Sequence, residues 1–499
     1  MKLKDLLKDI EYISNIKESQ LEDIEISDIV YDSRKAVKDS IFVAIKGETV
    51  DGHDYIKGAY DKGSRVFIIN HDLEIEDDAI KIIVPDCRRV LSRMSAIFFS
   101  EPTKKLKVVG ITGTKGKTTI SNYIKTVLTK SGMNTGVIGT NGVFYNDVAE
   151  KTLNTTPESY ELQKTIKEML DAGVECVAME VSSSGLMMGR VDDIDFDIGV
   201  YTNLSPDHIG PKEHPTFEHY RECKSRLFGL CKYGIINVDD ENAQYMVDHA
   251  KCPTCGFSID KESDIKAGNI ELTRSSASLG VDFDYKLKDQ DTVRTHICSP
   301  GEFSIYNALA VIGVCDHFGI DKDKMLEALS DAKVDGRVEV IPVLDNATVI
   351  LDYAHNGLSL ENVLDTLLKY DHNRMICVYG SIGGRAAIRR KELGDVAARL
   401  CDVSIITTDN PDDEDPMKII DEIAESYVGS DSEVHKVVDR AEAIYKALEM
   451  AEDGDMVLVT GKGHEKYQYI HGQRVFYDEK AEVIKAGKKV MENLSLIHI

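Results

Sequence analysis

The sequence predicts an α/β fold of several domains, and two observations carry that reading. Short apolar, β-branched runs alternate with amphipathic helical stretches, most regularly after residue 340. Within this alternation, Lys107–Thr119 (KVVGITGTKGKTT) passes from a buried-strand pattern through a glycine-rich turn into a helix start. A length of 499 residues suggests about three domains, with expected boundaries at 1–102, 103–335 and 336–490.

In the first stretch, 41–45, 65–70 and 80–84 read as strands, and 55–62 and 88–99 as helices. Polar turns flank the first strand: Tyr31-Asp32-Ser33-Arg34 before it and Asp51-Gly52-His53 after it. The middle stretch opens with the strand at Lys107–Ile111 and the helix that starts at Lys117. It continues with helix 161–170, a strand from Val174 ending at Glu180, and a strand at 198–202 leading into Asn203-Leu-Ser-Pro-Asp207-His208. Helix 220–228 carries Lys224, and Gly336-Arg337-Val338-Glu339 opens the last stretch with a hinge-like pattern. There, strands at 349–353, 375–379, 403–407 and 456–460 alternate with helices at 358–370, 388–400, 417–427 and 440–451. Such alternation means a mainly parallel sheet covered on both faces, with ligands beyond the carboxyl ends of its strands. Polar clusters fall at those ends: 352–355, 380–385, 409–412 and 461–465. The tail 493–499 shows no partner pattern.

Composition narrows the function. A formal charge of −26 disfavours a nucleic-acid motor, since a phosphate polymer would be repelled over much of the surface. No apolar run reaches the roughly 18 residues of a membrane span, and the acidic, amphipathic start MKLKDLLKDIEYI is unlike a secretion signal. Ten cysteines are scattered, only Cys252 and Cys255 with metal-like spacing and no second pair nearby. Reduced thiols in the cytoplasm are therefore expected, without zinc at that pair.

The glycine-rich stretch has the chemistry of a phosphate cradle. Gly110, Gly113 and Gly116 let backbone N–H groups approach an anion, Lys117 can reach terminal phosphates, and the Thr118 hydroxyl can ligate Mg²⁺. The spacing GxxGxxGKT points to bound ATP. Glu180, at the carboxyl end of a core strand, stands where a Mg²⁺ ligand is needed. His208 offers a ligand or base, and Lys224 by itself reads as an ordinary solvated lysine.

Taken in order, YDSR, DGH, GTKGKTT, NTTP, Glu180 with SSSGL, TNLSPDH, YRECKSRLF, GRVE, DYAH, DNP and GKGHE resemble the Mur ligases. These are ATP-dependent amide-forming enzymes of cell-wall precursor synthesis. The resemblance covers 25–485 and is greatest to the branch that adds the third residue to UDP-N-acetylmuramoyl-L-alanyl-D-glutamate. It implies a UDP-binding first domain, a central P-loop ATPase and a C-terminal Rossmann-like domain that binds the amino acid and closes to complete the site. Ser33, Thr155, Thr156, Ser182 and Arg190 are expected on the UDP-muramoyl-dipeptide. Gly113, Thr114, Lys115, Gly116, Lys117, Thr118, Thr119, Asn307, Arg337 and Asp352 are expected on ATP. Thr118 and Glu180 would hold one Mg²⁺; His208 and a carbamylated Lys224 would serve another, with Lys117, His208 and Lys224 as the catalytic set. Arg385, Asp409, Asn410, Asp412, Gly461 and Glu465 are expected on the amino acid.

The chain departs from the family pattern at Phe303-Ser304-Ile305-Tyr306-Asn307, at Arg385-Ala386, and at Asp412, where the diaminopimelate-adding members carry arginine. The acids Asp412, Asp413, Glu414 and Asp415 would repel a distal carboxylate and favour a distal ammonium. L-lysine is therefore the expected third residue, with L-ornithine and meso-diaminopimelate as alternatives. A folate-type polyglutamate ligase and an inert nucleotide-switched binding protein are the remote alternatives, disfavoured by YDSR and DGH and by the complete set of catalytic ligands. A cytoplasmic monomer is expected.

Overall fold

The computed structural model describes residues 1–47, 50–210, 213–332, 336–384 and 387–497. The chain divides into two compact units, Met1–Lys266 with Lys286–Gln290 and Tyr306–Ala328, and Ala267–Tyr285 with Asp291–Ile305 and Leu329–Ile499. No helix among the described residues is long and apolar enough to cross a membrane.

The first unit contains two sheets. In the smaller one, Asp28–Val30, Ser40–Val43, Val66–Ile69 and Ile80–Ile83 run parallel, and Ile13–Ser14 pairs antiparallel at the edge. The helices Ile56–Asp61 and Cys87–Phe98 fall where the sequence pattern puts them. Asp28–Val30 is a strand that the pattern does not reveal, because three residues are too few to display a period.

In the larger sheet the parallel strands run Thr135–Gly139, Cys176–Glu180, Lys107–Thr112, Phe196–Tyr201, Cys231–Asn237 and Thr254–Ser258. Val108, Val109 and Ile111 are fully buried, as expected of a central parallel strand covered on both faces. The strands Lys107–Thr112 and Cys176–Glu180 pair with Ile111 opposite Glu180. Phosphate loop and carboxylate therefore emerge side by side at the carboxyl edge of the sheet, where α/β proteins bind ligands.

The second unit is built on a six-stranded sheet in the order Glu339–Val340, Thr348–Asp352, Met456–Thr460, Met375–Tyr379, Val403–Ile406 and Glu433–Lys436, all parallel except the first. One face packs against Leu360, Leu364, Leu393, Ile419 and Ile423 of three helices. The other packs against Ala443, Ile444, Val483 and Val490 of two more. The last helix, Glu479–Ile497, extends into the tail. Its Val483, Ala486 and Val490 bury one stripe against the sheet, and the backbone stays helical through most of the stretch that lacked a pattern.

Candidate active site

The phosphate loop is shaped by glycine where it turns. Gly113 has φ +148°, and a Cβ there would lie 1.9 Å from the Thr202 hydroxyl oxygen. Gly116, at φ +89°, precedes the first residue of the Lys117–Lys130 helix. The strand end at 202–203 braces the loop from the neighbouring position in the sheet. Thr114 N–H donates to the Asn203 carbonyl at 2.9 Å, Lys115 N–H to Asn203 Oδ1 at 3.0 Å, and the Thr202 hydroxyl to the Lys115 carbonyl at 2.7 Å. Asn307 is buried against this loop, its Oδ1 2.9 Å from where a Gly116 Cβ would sit. Thr119 lies in the first turn of the helix.

Two lysines converge on one carbonyl. Lys117 Nζ donates to the Gly113 and Thr114 carbonyls at 2.9 and 3.0 Å, and Lys224 Nζ donates to the Gly113 carbonyl at 2.9 Å. Lys224 is buried, contrary to its reading as a solvated side chain. Burial first, and then the nearby Lys117 charge, hold its ammonium pKa well below the ordinary lysine value. Burial also lowers that of Lys117, with Glu180 and Asp207 acting in the opposite direction. Burial thus makes the Lys224 proton easier to remove than that of a solvated lysine.

Glu180 is buried and held from three sides. Oε1 accepts from the Thr118 hydroxyl at 2.9 Å and from Thr140 N–H at 3.0 Å; Oε2 accepts from the Thr140 hydroxyl at 3.1 Å. Octahedral Mg²⁺ with ligands at about 2.0–2.1 Å has neighbouring oxygens about 3 Å apart. The Thr118–Glu180 pair fits that hard-cation geometry. His208 does not join this group: its backbone is left-handed (φ +55°), and the half-exposed ring bonds Glu213 Oε1 at 2.8 Å. Tyr220 stands between His208 and Lys224, its ring 6.2 Å from that of His208 and 4.6 Å from Lys224 Nζ.

Behind Glu180 lies the expected dipeptide-binding set. The buried Thr156 hydroxyl donates to the Glu180 carbonyl at 2.9 Å and accepts from Ser182 N–H at 2.9 Å. Arg190 donates to the Thr156 carbonyl at 3.1 Å and faces Glu158 at 3.4 Å. Ser182 Oγ caps the next helix through Gly185 N–H, and Thr155 and Thr140 hydroxyls meet at 3.0 Å. Thr155, Thr156, Ser182 and Arg190 thus form one cluster. Ser33 stands apart in the smaller sheet's loops, in a 3₁₀ turn closed by Asp32 and Arg34.

In the second unit, Asp352 is buried at a strand end, accepting from Val338 N–H at 2.9 Å and Ala354 N–H at 2.7 Å. Burial raises its pKa, while those two N–H groups and Arg337 work the other way. The guanidinium of Arg337 sits 5.0 Å from the Tyr353 ring centre. Beside them is a residue that sequence reasoning missed, Lys462. It is fully buried and reaches Asn410 Oδ1 at 2.6 Å, Asp409 at 2.9 Å and Glu465 at 3.5 Å. A lysine between two glycines in GKGHE was its only signal. Gly461 turns the chain beside Asp409, and Glu465 also accepts from Tyr353 at 3.1 Å. Arg385 lies outside the described residues.

The acids after Asn410 do not form the expected ammonium site. Asp412 Oδ1 accepts from Gly472 N–H at 2.9 Å, in the turn of the Tyr467–Ile470 and Gln473–Phe476 hairpin. Glu414 is paired with Arg390, and Asp415 caps the Pro416–Ala424 helix. Asp413 is left exposed beside His471. The charge argument for lysine counted these residues without their partners.

Known proteins give this arrangement its class. Three family descriptions match in succession: Mur ligase family, catalytic domain, over 25–99; Mur ligase middle domain over 111–315; and Mur ligase, glutamate ligase domain, over 336–463. The chain belongs to the Mur ligase family and is an ATP-dependent ligase that forms carbon–nitrogen bonds. Within the family it is similar to UDP-N-acetylmuramoyl-L-alanyl-D-glutamate–2,6-diaminopimelate ligases. That of Clostridium perfringens is 40% identical over 492 residues, covering 97% of this chain and 99% of its own. That of Clostridium botulinum is 40% identical over 498 residues, covering 98% and 100%. A solved structure of a ligase of the same name matches with TM-score 0.78 at 28% identity, covering 98% and 99% of the two chains. A folylpolyglutamate synthase from Thermotoga maritima, at 18% identity and TM-score 0.56 over 74% of this chain and 89% of its own, shares only the fold.

Proposed function

We propose that this ligase joins meso-diaminopimelate to the D-glutamyl carboxylate of UDP-N-acetylmuramoyl-L-alanyl-D-glutamate. The observation that carries the reading is full-length similarity, at 40% identity, to ligases named for those two substrates. It displaces L-lysine, whose support was the acidic run now accounted for by Gly472, Arg390 and a helix cap.

A carboxylate is a poor acylating agent, so the γ-phosphoryl group of ATP first passes to the D-glutamyl oxygen. The amine of the incoming amino acid then attacks the acyl phosphate, and phosphate leaves. Such transfers depend on positioning and on neutralising charge at the transferred group. In this reading Lys117 leaves the Gly113 and Thr114 carbonyls to contact the γ-phosphate, while the loop N–H groups cradle the phosphates. Thr118 and Glu180 hold Mg²⁺, which supplies further neutralisation when bound. Lys224, whose proton burial makes easier to lose, adds CO₂ as a carbamate with release of that proton, and His208 turns from Glu213 to assist it. Thr155, Thr156, Ser182 and Arg190 orient the dipeptide, and Asp409, Asn410, Lys462 and Glu465 receive the amino acid at the strand ends of the second unit.

The test is kcat/KM for meso-diaminopimelate, L-lysine and L-ornithine on one preparation. Preference for diaminopimelate is expected; preference for lysine would return specificity to the charge at Asp412.

A further inference from the structure

One cluster of ligating side chains lies outside every role assigned above. His214, His219 and Cys223 bring one ligand atom each to within 4.8 Å of one another. His219 and Cys223 lie four residues apart on the Phe217–Ser225 helix and so share a face; His214 arrives from the loop before it. We propose that these three residues form a binding site for a thiophilic divalent cation of the zinc class, distinct from the oxygen-lined Thr118–Glu180 position.

The distances suit that ion. Tetrahedral coordination with nitrogen at about 2.0–2.1 Å and sulfur at about 2.3 Å separates ligand atoms by about 3.3–3.7 Å. Here His214 Nδ1 and His219 Nδ1 are 3.0 Å apart, and Cys223 Sγ is 3.9 Å from His219 Nδ1 and 3.8 Å from its Nε2. The set spans up to 4.8 Å, so the side chains would draw in by about 1 Å to share one centre. The outer contact is also of the kind such sites use: His214 Nε2 lies 2.8 Å from Ser183 Oγ. Donating its proton there leaves Nδ1 bare and facing the cluster. His214 and Cys223 are buried while His219 is half-buried, which makes His219 the most accessible of the three.

Proton accounting is simple. Without the ion, His219 Nδ1–H donates to His214 Nδ1. On binding, His219 moves its proton to Nε2, the Cys223 thiol releases one to solvent, and water completes the fourth position. Imidazole and thiolate ligands select zinc-class ions over Mg²⁺, so the two cation sites are chemically separate. The bound ion would tie the loop bearing His208 to the helix bearing Lys224.

The experiment is a titration of the full-length protein with Co²⁺ in excess Mg²⁺, followed by absorption. One Co²⁺ per chain with a thiolate-to-cobalt charge-transfer band is expected, bleached by one equivalent of Zn²⁺. Cys223→Ser should abolish the band, and His219→Gln, at the most accessible ligand, should weaken Co²⁺ binding at least tenfold. Cys298→Ser should leave the band intact; that thiol lies 3.4 Å from His296 Nε2 and is another thiol–imidazole pair. Absence of a thiolate band in the folded wild-type chain would overturn the proposal, as would a band that survives Cys223→Ser or disappears with Cys298→Ser.

Discussion

Replacing Gly139 by alanine isolates the geometry of the Glu180 carboxylate. Gly139 ends the Thr135–Gly139 strand, and a Cβ built there lies 2.2 Å from Glu180 Oε1 and 2.8 Å from its Cδ. Ordinary contact needs more than 1 Å beyond that. The obstacle is the carboxylate itself, fixed by Thr118, Thr140 N–H and the Thr140 hydroxyl. Either the group shifts by about 1 Å or it rotates away and leaves a backbone N–H without its partner, at about 1–3 kcal/mol. If Glu180 holds Mg²⁺ as proposed, a displacement of that size lowers turnover by about 10²-fold, or about 2.7 kcal/mol in the barrier. Gly229→Ala is the control, since no atom lies within 4 Å of its added Cβ and its φ is ordinary. Phosphate release under saturating substrates reads the effect, with circular dichroism reporting the fold. Gly139→Ala with wild-type kcat and unchanged Mg²⁺ dependence would refute the reasoning that Glu180 must occupy this position.

Lys117→Ala should abolish ligation with the fold retained, because its hydrogen bonds among the described residues go to loop carbonyls; near-normal phosphate release would contradict its role at the γ-phosphate. Lys224→Ala should lose activity and regain part of it with short-chain carboxylates, while Lys224→Arg stays inactive, since guanidinium cannot become an anionic ligand. An active arginine variant would show that the position supplies positive charge. Lys462→Met should destabilise the second unit by about 3–5 kcal/mol, because it leaves the buried Asp409 carboxylate without its cation. Calorimetry checks this, and adding Asp409→Asn should recover part of the loss; additive losses would mean that the ion pair is not coupled.

What could be read from the sequence divides along physical lines. Met375–Tyr379 and Met456–Thr460 match their expected bounds because strands buried on both faces are continuous apolar runs. The phosphate loop was legible because its chemistry is local, held in a strand, a turn and a helix start. Thr135–Gly139 was not, since two of its five residues are glycines whose reason lies elsewhere: Met169 presses on Gly136 and Glu180 on Gly139. The burial of Lys224 and Lys462 is likewise set by distant strands, and no local pattern announces it. Asp412 and Glu414 were misread for the same reason, as Gly472 and Arg390 are remote in sequence. Local signals revealed the motifs and the strands, whereas the partners of individual charges required the fold.

The central claim is ATP-driven amide formation on the D-glutamyl carboxylate, and the most direct test is the mass of the product together with the nucleotide balance. Purified protein, UDP-N-acetylmuramoyl-L-alanyl-D-glutamate, ATP, Mg²⁺ and meso-diaminopimelate are incubated and resolved by mass spectrometry. The expected product is heavier by one diaminopimelate less one water, with one ADP and one phosphate released per bond and none formed when the UDP-dipeptide is omitted. ATP hydrolysis without that adduct, whichever amino acid is supplied, would contradict it.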